Sequence, residues 1–262
     1  KPISLNLTMD PLFDVKDKLI LVSGGSRGIG KTMVQGFAER QARVVFFGRD
    51  EKTLESKKKE LKKKKSEIFP EQCDVSQIDE VKALVKKVIE KHGCIDVLIN
   101  VAGVNRRQRA ETYVLEDYDF VMDINLKGAF FLSTEVGKTM LQNNGGIQIN
   151  IDSLNSYAPV KGMAPYAMSK FGMVGMTRAL AAEWGPKRVR VNSIAPGFIL
   201  TDLTKKVWSD PHLQKWGLDN TPLNRLGDPK DLLGAALFLA SEASSFMTGQ
   251  VVRVDGGFSS AI

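Results

Sequence analysis

Tyr166-Ala-Met-Ser-Lys170 sets a phenol and an ammonium four residues apart, a spacing that puts both on one face of a helix. A free phenol has a pKa of about 10, so a neighbouring cation is needed to favour the phenolate and bring proton exchange towards neutral pH. The pair therefore suits proton transfer to or from a substrate oxygen. The same Y-x-x-x-K spacing recurs at Tyr157 and Lys161. Pro159 opposes a helix across that second pair, whereas Pro165 stands where a first helical turn tolerates proline. Tyr166 and Lys170 are thus expected on a helix, and Tyr157 and Lys161 in a loop. Ser153, thirteen residues before Tyr166 at the end of an apolar run, adds a hydroxyl that can polarise a substrate carbonyl.

A second constellation lies near the start of the chain. Ser23-Gly24-Gly25-Ser26-Arg27-Gly28-Ile29-Gly30 follows an apolar run and precedes a helical pattern. Glycines there let the backbone approach a pyrophosphate, and the helix N-terminus offers free N–H groups. The spacing is G-x-x-x-G-x-G, a variant of the dinucleotide fingerprint; by itself it also fits a glycine-rich turn that holds nothing. Cofactor choice is set at the end of the second strand, which reads Phe46-Phe47-Gly48-Arg49-Asp50. Gly48 stands where an acid would accept from the adenosine ribose, and Arg49 and Arg27 could meet a 2′-phosphate, which favours NADP(H) over NAD(H); Asp50 keeps NAD(H) open. With a nicotinamide in place, hydride would pass to or from carbon while Tyr166 gives or takes the proton on oxygen.

Strand-like and helix-like stretches alternate along the whole chain. Strands are expected at 19–22, 42–47, 68–73, 96–100, 147–151, 188–193 and 251–254. Helices are expected at 29–40, 51–67, 78–92, 113–143, 166–184 and 229–240. This order predicts a doubly wound α/β fold, a seven-stranded parallel sheet with helices on both faces. Residues 1–262 read as one domain, with 1–14 as an N-terminal extension. Residues 196–228 lack periodicity and are expected to form a substrate-binding lid.

Composition narrows the class. Hydrophobic residues make up 43% and charged residues 26%, enough apolar material for a packed core. No segment approaches the roughly 20 apolar residues of a membrane span, and residues 1–10 lack a signal-peptide run, so a cytoplasmic address without a membrane partner is expected. The net charge is +7, and residues 51–67 carry eight lysines against four glutamates. No aromatic residues interleave there for base stacking, so the run reads as a solvated helix face and no nucleic-acid partner is expected. Cys73 and Cys94 read as two buried, reduced thiols. No metal site is indicated.

Together these motifs resemble the short-chain dehydrogenase/reductase family over nearly the whole chain. Asn100-Val-Ala-Gly103, Asn125 in Asp-Ile-Asn-Leu, Asn192-Ser-Ile-Ala-Pro-Gly197 and the close from Thr248 to Gly257 carry the resemblance beside the glycine turn and Y-x-x-x-K. It implies a catalytic tetrad of Asn125, Ser153, Tyr166 and Lys170, with Asn125 anchoring a water-linked proton relay and Lys170 also holding the nicotinamide ribose. It implies a cofactor site of Gly24, Ser26, Arg27, Gly28, Ile29, Gly30, Arg49, Asp74, Val75, Asn100, Ala102, Gly103, Tyr166, Lys170, Pro196, Gly197, Ile199 and Thr201. Asp74 and Val75 would flank the adenine, and Gly197, Ile199 and Thr201 the nicotinamide amide. Two positions depart from the pattern. Val101 replaces the second Asn of N-N-A-G, and Asp152 precedes Ser153 where a small neutral residue is commoner. Strand alternation would turn Asp152 away from Ser153, towards a supporting or interface role.

Substrate residues are expected to be Ser153, Tyr166, Arg106 and Arg107. The stretch from Gly103 to Arg107 is similar to the A-G-x-x-R-R segment of gluconate 5-dehydrogenases and 2-deoxygluconate 3-dehydrogenases, and paired guanidinium groups suit a carboxylate. The expected function is NAD(P)(H)-dependent interconversion of a secondary alcohol and a ketone, with a sugar acid of the gluconate/5-ketogluconate type as substrate. Exposed or subunit-bridging arginines are the other reading of Arg106 and Arg107. Alternatives are a 3-oxoacyl-(acyl-carrier-protein) reductase, whose acidic partner the basic residues would attract, and a non-catalytic cofactor-binding interaction protein. Trp208, His212 and Trp216 fit either a pocket wall or the underside of a lid. Resemblance also implies a homotetramer built on the helical stretches 113–143 and 166–184.

Overall fold

Leu19, Leu21, Val45, Phe47 and Leu98 point to one side of a central sheet, while Ile20, Val22, Val44, Phe46 and Ile99 point to the other; all are essentially inaccessible to solvent. That period-two alternation of uniformly apolar side chains is what a parallel sheet covered on both faces requires. A computed structural model, describing residues 10–61, 67–202 and 204–261, gives the sheet seven parallel strands: β1 (Leu19–Ser23), β2 (Arg43–Gly48), β3 (Glu67–Gln72), β4 (Val97–Asn100), β5 (Gly146–Ile151), β6 (Val189–Pro196) and β7 (Val251–Val254). Their order is β3-β2-β1-β4-β5-β6-β7. All seven expected strands occur. Pro70 is tolerated in β3 because that strand is the sheet edge.

Helices pack on both faces. On one lie α1 (Gly28–Ala38), α2 (Glu51–Leu61) and α9 (Leu233–Ala240). On the other lie α3 (Ile78–His92), α5 (Ala129–Gln142) and α6 (Ala164–Trp184). In α3 the buried residues Val81, Leu84, Val85 and Val88 follow helical spacing, and the helix stops at Gly93, whose φ of 90° lies in the left-handed region. The extension expected at 1–14 is described only from Asp10, where Pro11–Phe13 form a short turn capped by Asp10; residues 1–9 lie outside the described residues.

Four expectations need correcting. The helix expected at 51–67 ends at Leu61, Glu67 already belongs to β3, and Lys62 to Lys65 lie outside the described residues. The stretch 113–143 is helical from Leu115 to Gln142 but not one regular α-helix: α4 (Leu115–Met122) runs through a π-turn, Asp123–Gly128, into α5. Residues 196–228 hold α7 (Lys205–Trp208) and α8 (Pro211–Asp219), the latter capped by Asp210 with Pro211 in its first turn; Leu203 lies outside the described residues. A four-residue and a nine-residue helix are too short to show a period. Cys94 is exposed, not buried, because it precedes β4 on a surface loop; Cys73 is buried, which pushes its thiol up to about 12 and leaves it inert. The chain closes with α10 (Phe258–Ala261). Among the described residues no helix is long and apolar enough to cross a membrane, and no cluster of metal-ligating side chains occurs.

Candidate active site

Strand order reverses between β1 and β4, and open parallel sheets bind ligands at that point, beyond the carboxyl ends of the strands. A cleft of about 330 Å³ opens there. Its walls come from the turn after β1 (Gly24, Ser26, Arg27, Gly28, Ile29, Gly30), the end of β2 (Gly48, Arg49, Asp50), the end of β3 (Asp74, Val75), the segment after β4 (Ala102, Gly103) and Thr201. Phe47, Thr53, Cys73, Val101, Val104, Ile124 and Asp202 also line it and were not anticipated. For Phe47, Cys73, Val101 and Val104 the signal in the sequence was position alone, at or just beyond a strand end; Thr53 in α2, Ile124 in the π-turn before α5 and Asp202 beyond β6 carried none.

The turn after β1 is shaped for a phosphate. Gly28 has φ +51°, and a Cβ at Gly30 would stand 2.2 Å from the carbonyl oxygen of Gly24. Side chains are therefore excluded where the turn closes on the helix. No acidic residue occupies the first turn of α1 and no side chain caps it, so its leading N–H groups face the cleft uncovered. Beyond the end of β2, Asp50 is spent on capping α2, its Oδ1 accepting from Thr53 N at 2.7 Å, and the side chain and amide of Thr53 hold its carboxyl below the usual range. Arg27 and Arg49 also face the cleft, and neither has an ion pair among the described residues. This donor set fits a phosphorylated dinucleotide.

Pro165 sits in the first turn of α6, as its fixed φ allows, and the helix carries Tyr166 and Lys170 one turn apart towards the end of β5. Lys170 is 3% exposed; its Nζ donates to the carbonyl of Ile151 at 2.7 Å and stands 5.7 Å from the centre of the Tyr166 ring. Ser153 begins the turn after β5, its hydroxyl accepting from Asn155 N at 3.2 Å. Asn125 lies in the π-turn, a form that recurs at functional sites. Its Nδ2 donates to Val104 O at 2.9 Å and Ser169 Oγ at 3.1 Å, while its Oδ1 accepts from Val104 N at 2.8 Å. Wholly buried, this amide ties the segment after β4 to α6.

The pair's electrostatics differ from the simple picture of a cation easing a phenolate. Burial holds the Tyr166 phenol above its ordinary value; the Ser153 hydroxyl pulls it down and Asp152 pushes it further up. Burial lowers Lys170 to about 8, against an upward pull from Asp152. Tyr166 thus keeps its proton through the neutral range. The second Y-x-x-x-K pair does lie in a loop: Tyr157 Oη donates to Asp255 Oδ2 at 3.0 Å and its ring carries the Arg253 guanidinium.

Other expected site residues sit away from the cleft wall. Asn100 is 2% exposed, and its Nδ2 donates to Ser133 Oγ at 2.9 Å and Asn150 Oδ1 at 2.8 Å; Asn150 in turn donates to Thr177 Oγ1 at 2.8 Å. This buried ladder fastens α5 and α6 to the sheet. Pro196 ends β6, Gly197 packs against the backbone of Asp255, and Ile199 bridges to Gly227 within the core, leaving Thr201 as the part of that strip on the wall. Asp152 takes no interface position, because it is 2% exposed inside the chain; β5 ends at Ile151, where period-two alternation ceases to apply.

The arginines separate. Arg106 is held by Asp117, Nε to Oδ1 at 3.3 Å, and stacks over Phe120 at 4.6 Å. Arg107 is exposed and makes no ion pair among the described residues; its Cγ lies 3.5 Å from where a Cβ would stand on Gly162, in the loop leading to Tyr166. The segment is strapped to that loop through Gln108 N, which donates to Gly162 O at 3.1 Å. Trp208, Trp216 and Phe258 of α10 pack around Phe198 (ring centres 5.0, 5.6 and 4.9 Å from it), with Trp208 buried and Trp216 45% exposed.

Known proteins share this sequence pattern and fold. Residues 24–259 match a family model described as enoyl-(acyl carrier protein) reductase. The chain is 36% identical to gluconate 5-dehydrogenase of Gluconobacter oxydans (strain 621H), over 94% of this chain and 96% of that one. It is 40% identical to a 3-oxoacyl-(acyl-carrier-protein) reductase of Chlamydia muridarum (strain MoPn / Nigg), over 92% and 97%. A crystal structure of gluconate 5-dehydrogenase from Burkholderia cenocepacia J2315 in complex with NADP and tartrate superposes with a TM-score of 0.93 at 32% identity, covering 96% of this chain and 99% of that one. By its parallel sheet, its glycine turn, its Tyr166 and Lys170 pair and these relatives, the chain belongs to the short-chain dehydrogenase/reductase family.

Proposed function

We propose that this NAD(P)-dependent oxidoreductase interconverts the secondary alcohol and ketone of an aldonate-type sugar acid, with NADP(H) as the preferred cofactor. The observation that carries the substrate class is Arg107, a guanidinium without an acidic partner among the described residues, braced against the loop that leads to Tyr166. A carboxylate is what such a group binds best. Arg106, already paired with Asp117, braces α4 and is left out of the proposed carboxylate site.

The bound cofactor supplies or accepts hydride at its nicotinamide. The turn Gly24–Gly30 and the N-terminus of α1 hold its phosphates, Asp74 and Val75 border the adenine, and Arg27 and Arg49 meet the 2′-phosphate. Ser153 donates a hydrogen bond to the carbonyl oxygen of the ketone. Tyr166, protonated at neutral pH, delivers its proton to the oxygen as the alcohol forms, or receives one through its phenolate in the reverse direction. Lys170 holds the nicotinamide ribose and places positive charge beside the phenol, and Asn125 positions the segment after β4 under them.

One assay set tests this reading: 5-ketogluconate, a neutral ketone and an acetoacetyl thioester, each with NADPH and NADH. The expected result is highest kcat/KM for 5-ketogluconate with NADPH. Arg107→Met is expected to cost about 30-fold or more for the sugar acid, mainly in KM, and little for the neutral ketone. Preference for the thioester would replace the proposal with an acyl reductase, and preference for NADH would overturn the cofactor assignment.

We also propose a homotetramer. Val114 and Leu115 (53% and 68% exposed), Phe130, Met168 and Phe171 leave apolar side chains bare along α4, α5 and α6. Light scattering is expected to give four times the chain mass; a monomer at micromolar concentration contradicts it.

A further inference from the structure

Asp152 is a buried carboxylate that the chemistry above does not use. Its amide donates to Ile194 O on β6 at 2.7 Å, and its Oδ2 accepts from Ser156 Oγ at 2.6 Å. Oδ1 has no hydrogen-bond partner among the described residues. An ionised carboxylate so enclosed is costly unless a cation shares its site. Lys170 is that cation: its ammonium is anchored on the carbonyl of Ile151, the residue immediately before Asp152, and the two charges act on each other.

The surroundings hold few other charges. α6 brings Lys170 and Tyr166, the turn Leu154–Ser156 brings the neutral Ser156, and the adjoining strand positions Ile151 and Ile194 bring none. Arg253 and Asp255, beyond β6, act on Tyr157.

We propose that Asp152 is a positioning residue for charge, its carboxylate holding both the Lys170 ammonium and the Tyr166 hydroxyl in their protonated forms, so that the proton-donating state of the site persists to higher pH. This rests on the reading of Tyr166 and Lys170 as the proton-transfer pair. A negative charge attracts an ammonium and repels a phenolate, so it raises both neighbours' pKa values. For Lys170 it offsets burial; for Tyr166 it adds to burial. Burial raises Asp152 itself to about 6, with Lys170 pulling it down. The effect therefore fades as pH falls through about 6, where the carboxylate takes up a proton.

The test is the pH profile of kcat/KM for ketone reduction with NADPH in the wild type, Asp152→Asn and Asp152→Ser. Asn keeps the shape and an acceptor for Ser156; Ser is the small neutral choice. The alkaline limb is expected to fall by at least about one pH unit in both variants, about a tenfold loss of rate above the limb, while the three profiles converge below about pH 5.5. A second measurement needs no turnover: in the protein without cofactor, labelled with [6-13C]lysine, the Lys170 resonance, assigned by its loss in Lys170→Arg, should titrate about one unit lower in Asp152→Asn. A uniform rate loss with the limb within about 0.3 units of wild type marks a purely structural role and overturns the proposal, as does an unmoved Lys170 titration. Failure of the wild type to reduce any ketone strikes the proposed function instead, leaving the lysine titration to decide the role of Asp152.

Discussion

Tyr166→Phe is expected to lower kcat/KM for carbonyl reduction by about 10³-fold, in the range lost when a positioned general acid is removed. The phenol is the acidic group at the mouth of α6 that keeps its proton through the neutral range, and phenylalanine retains the ring while deleting that proton. Thermal stability should stay within about 1 kcal/mol of wild type, because one hydroxyl is lost and no cavity is made. The control is the chain's other Y-x-x-x-K tyrosine. Tyr157→Phe breaks the bond to Asp255 and should cost about 1 kcal/mol of stability while keeping most of the activity. Steady-state kinetics and a thermal melt on both variants decide the matter; equal losses of activity would remove the distinction between the two pairs.

Gly30→Ala is expected to have the largest effect on cofactor binding. The added methyl would stand 2.2 Å from the Gly24 carbonyl oxygen and 3.1 Å from the Cα of Gly25, both backbone atoms that cannot swing away. Either the turn after β1 or the first turn of α1 must move. Overpacking of this kind costs about 3 kcal/mol, enough to lower Tm by about 5–10 °C in a domain of this size. Because the displaced backbone is the turn proposed to hold the cofactor's phosphates, the Kd for NADPH should weaken more than tenfold. Gly234→Ala is the matched control: it lies exposed in α9 with nothing within 4 Å of the new methyl, and should be neutral or slightly stabilising. Calorimetry on both proteins checks the contrast, and unchanged NADPH affinity in Gly30→Ala would contradict it.

The sequence by itself determined the sheet, the glycine turn after β1 and which of the two Y-x-x-x-K pairs lies on a helix. Apolar runs of strand length alternate with helical periods, and that pattern is a local property that solvent exclusion converts directly into layers. Pro159 and Pro165 acted just as locally, through fixed φ and a missing N–H, and so separated the loop pair from the helix pair. Where the reading was weaker, the deciding contacts lay far apart in the chain. The π-turn under Asn125 carries no periodic signal, and the helices α7 and α8 are shorter than a recognisable period. Arg106 and Arg107 are adjacent and chemically alike. Only packing gave one of them to Asp117 and Phe120 and left the other beside Gly162. That β5 and α5 bring Asn150 and Ser133 to Asn100, in the ladder that aligns α6, no local pattern announced. The charge state of the site is likewise tertiary. Spacing put Lys170 next to Tyr166, but burial, which raises the phenol and lowers the ammonium, and the upward pull of Asp152 on both come from the folded interior, because desolvation and Coulomb interaction depend on distances through it.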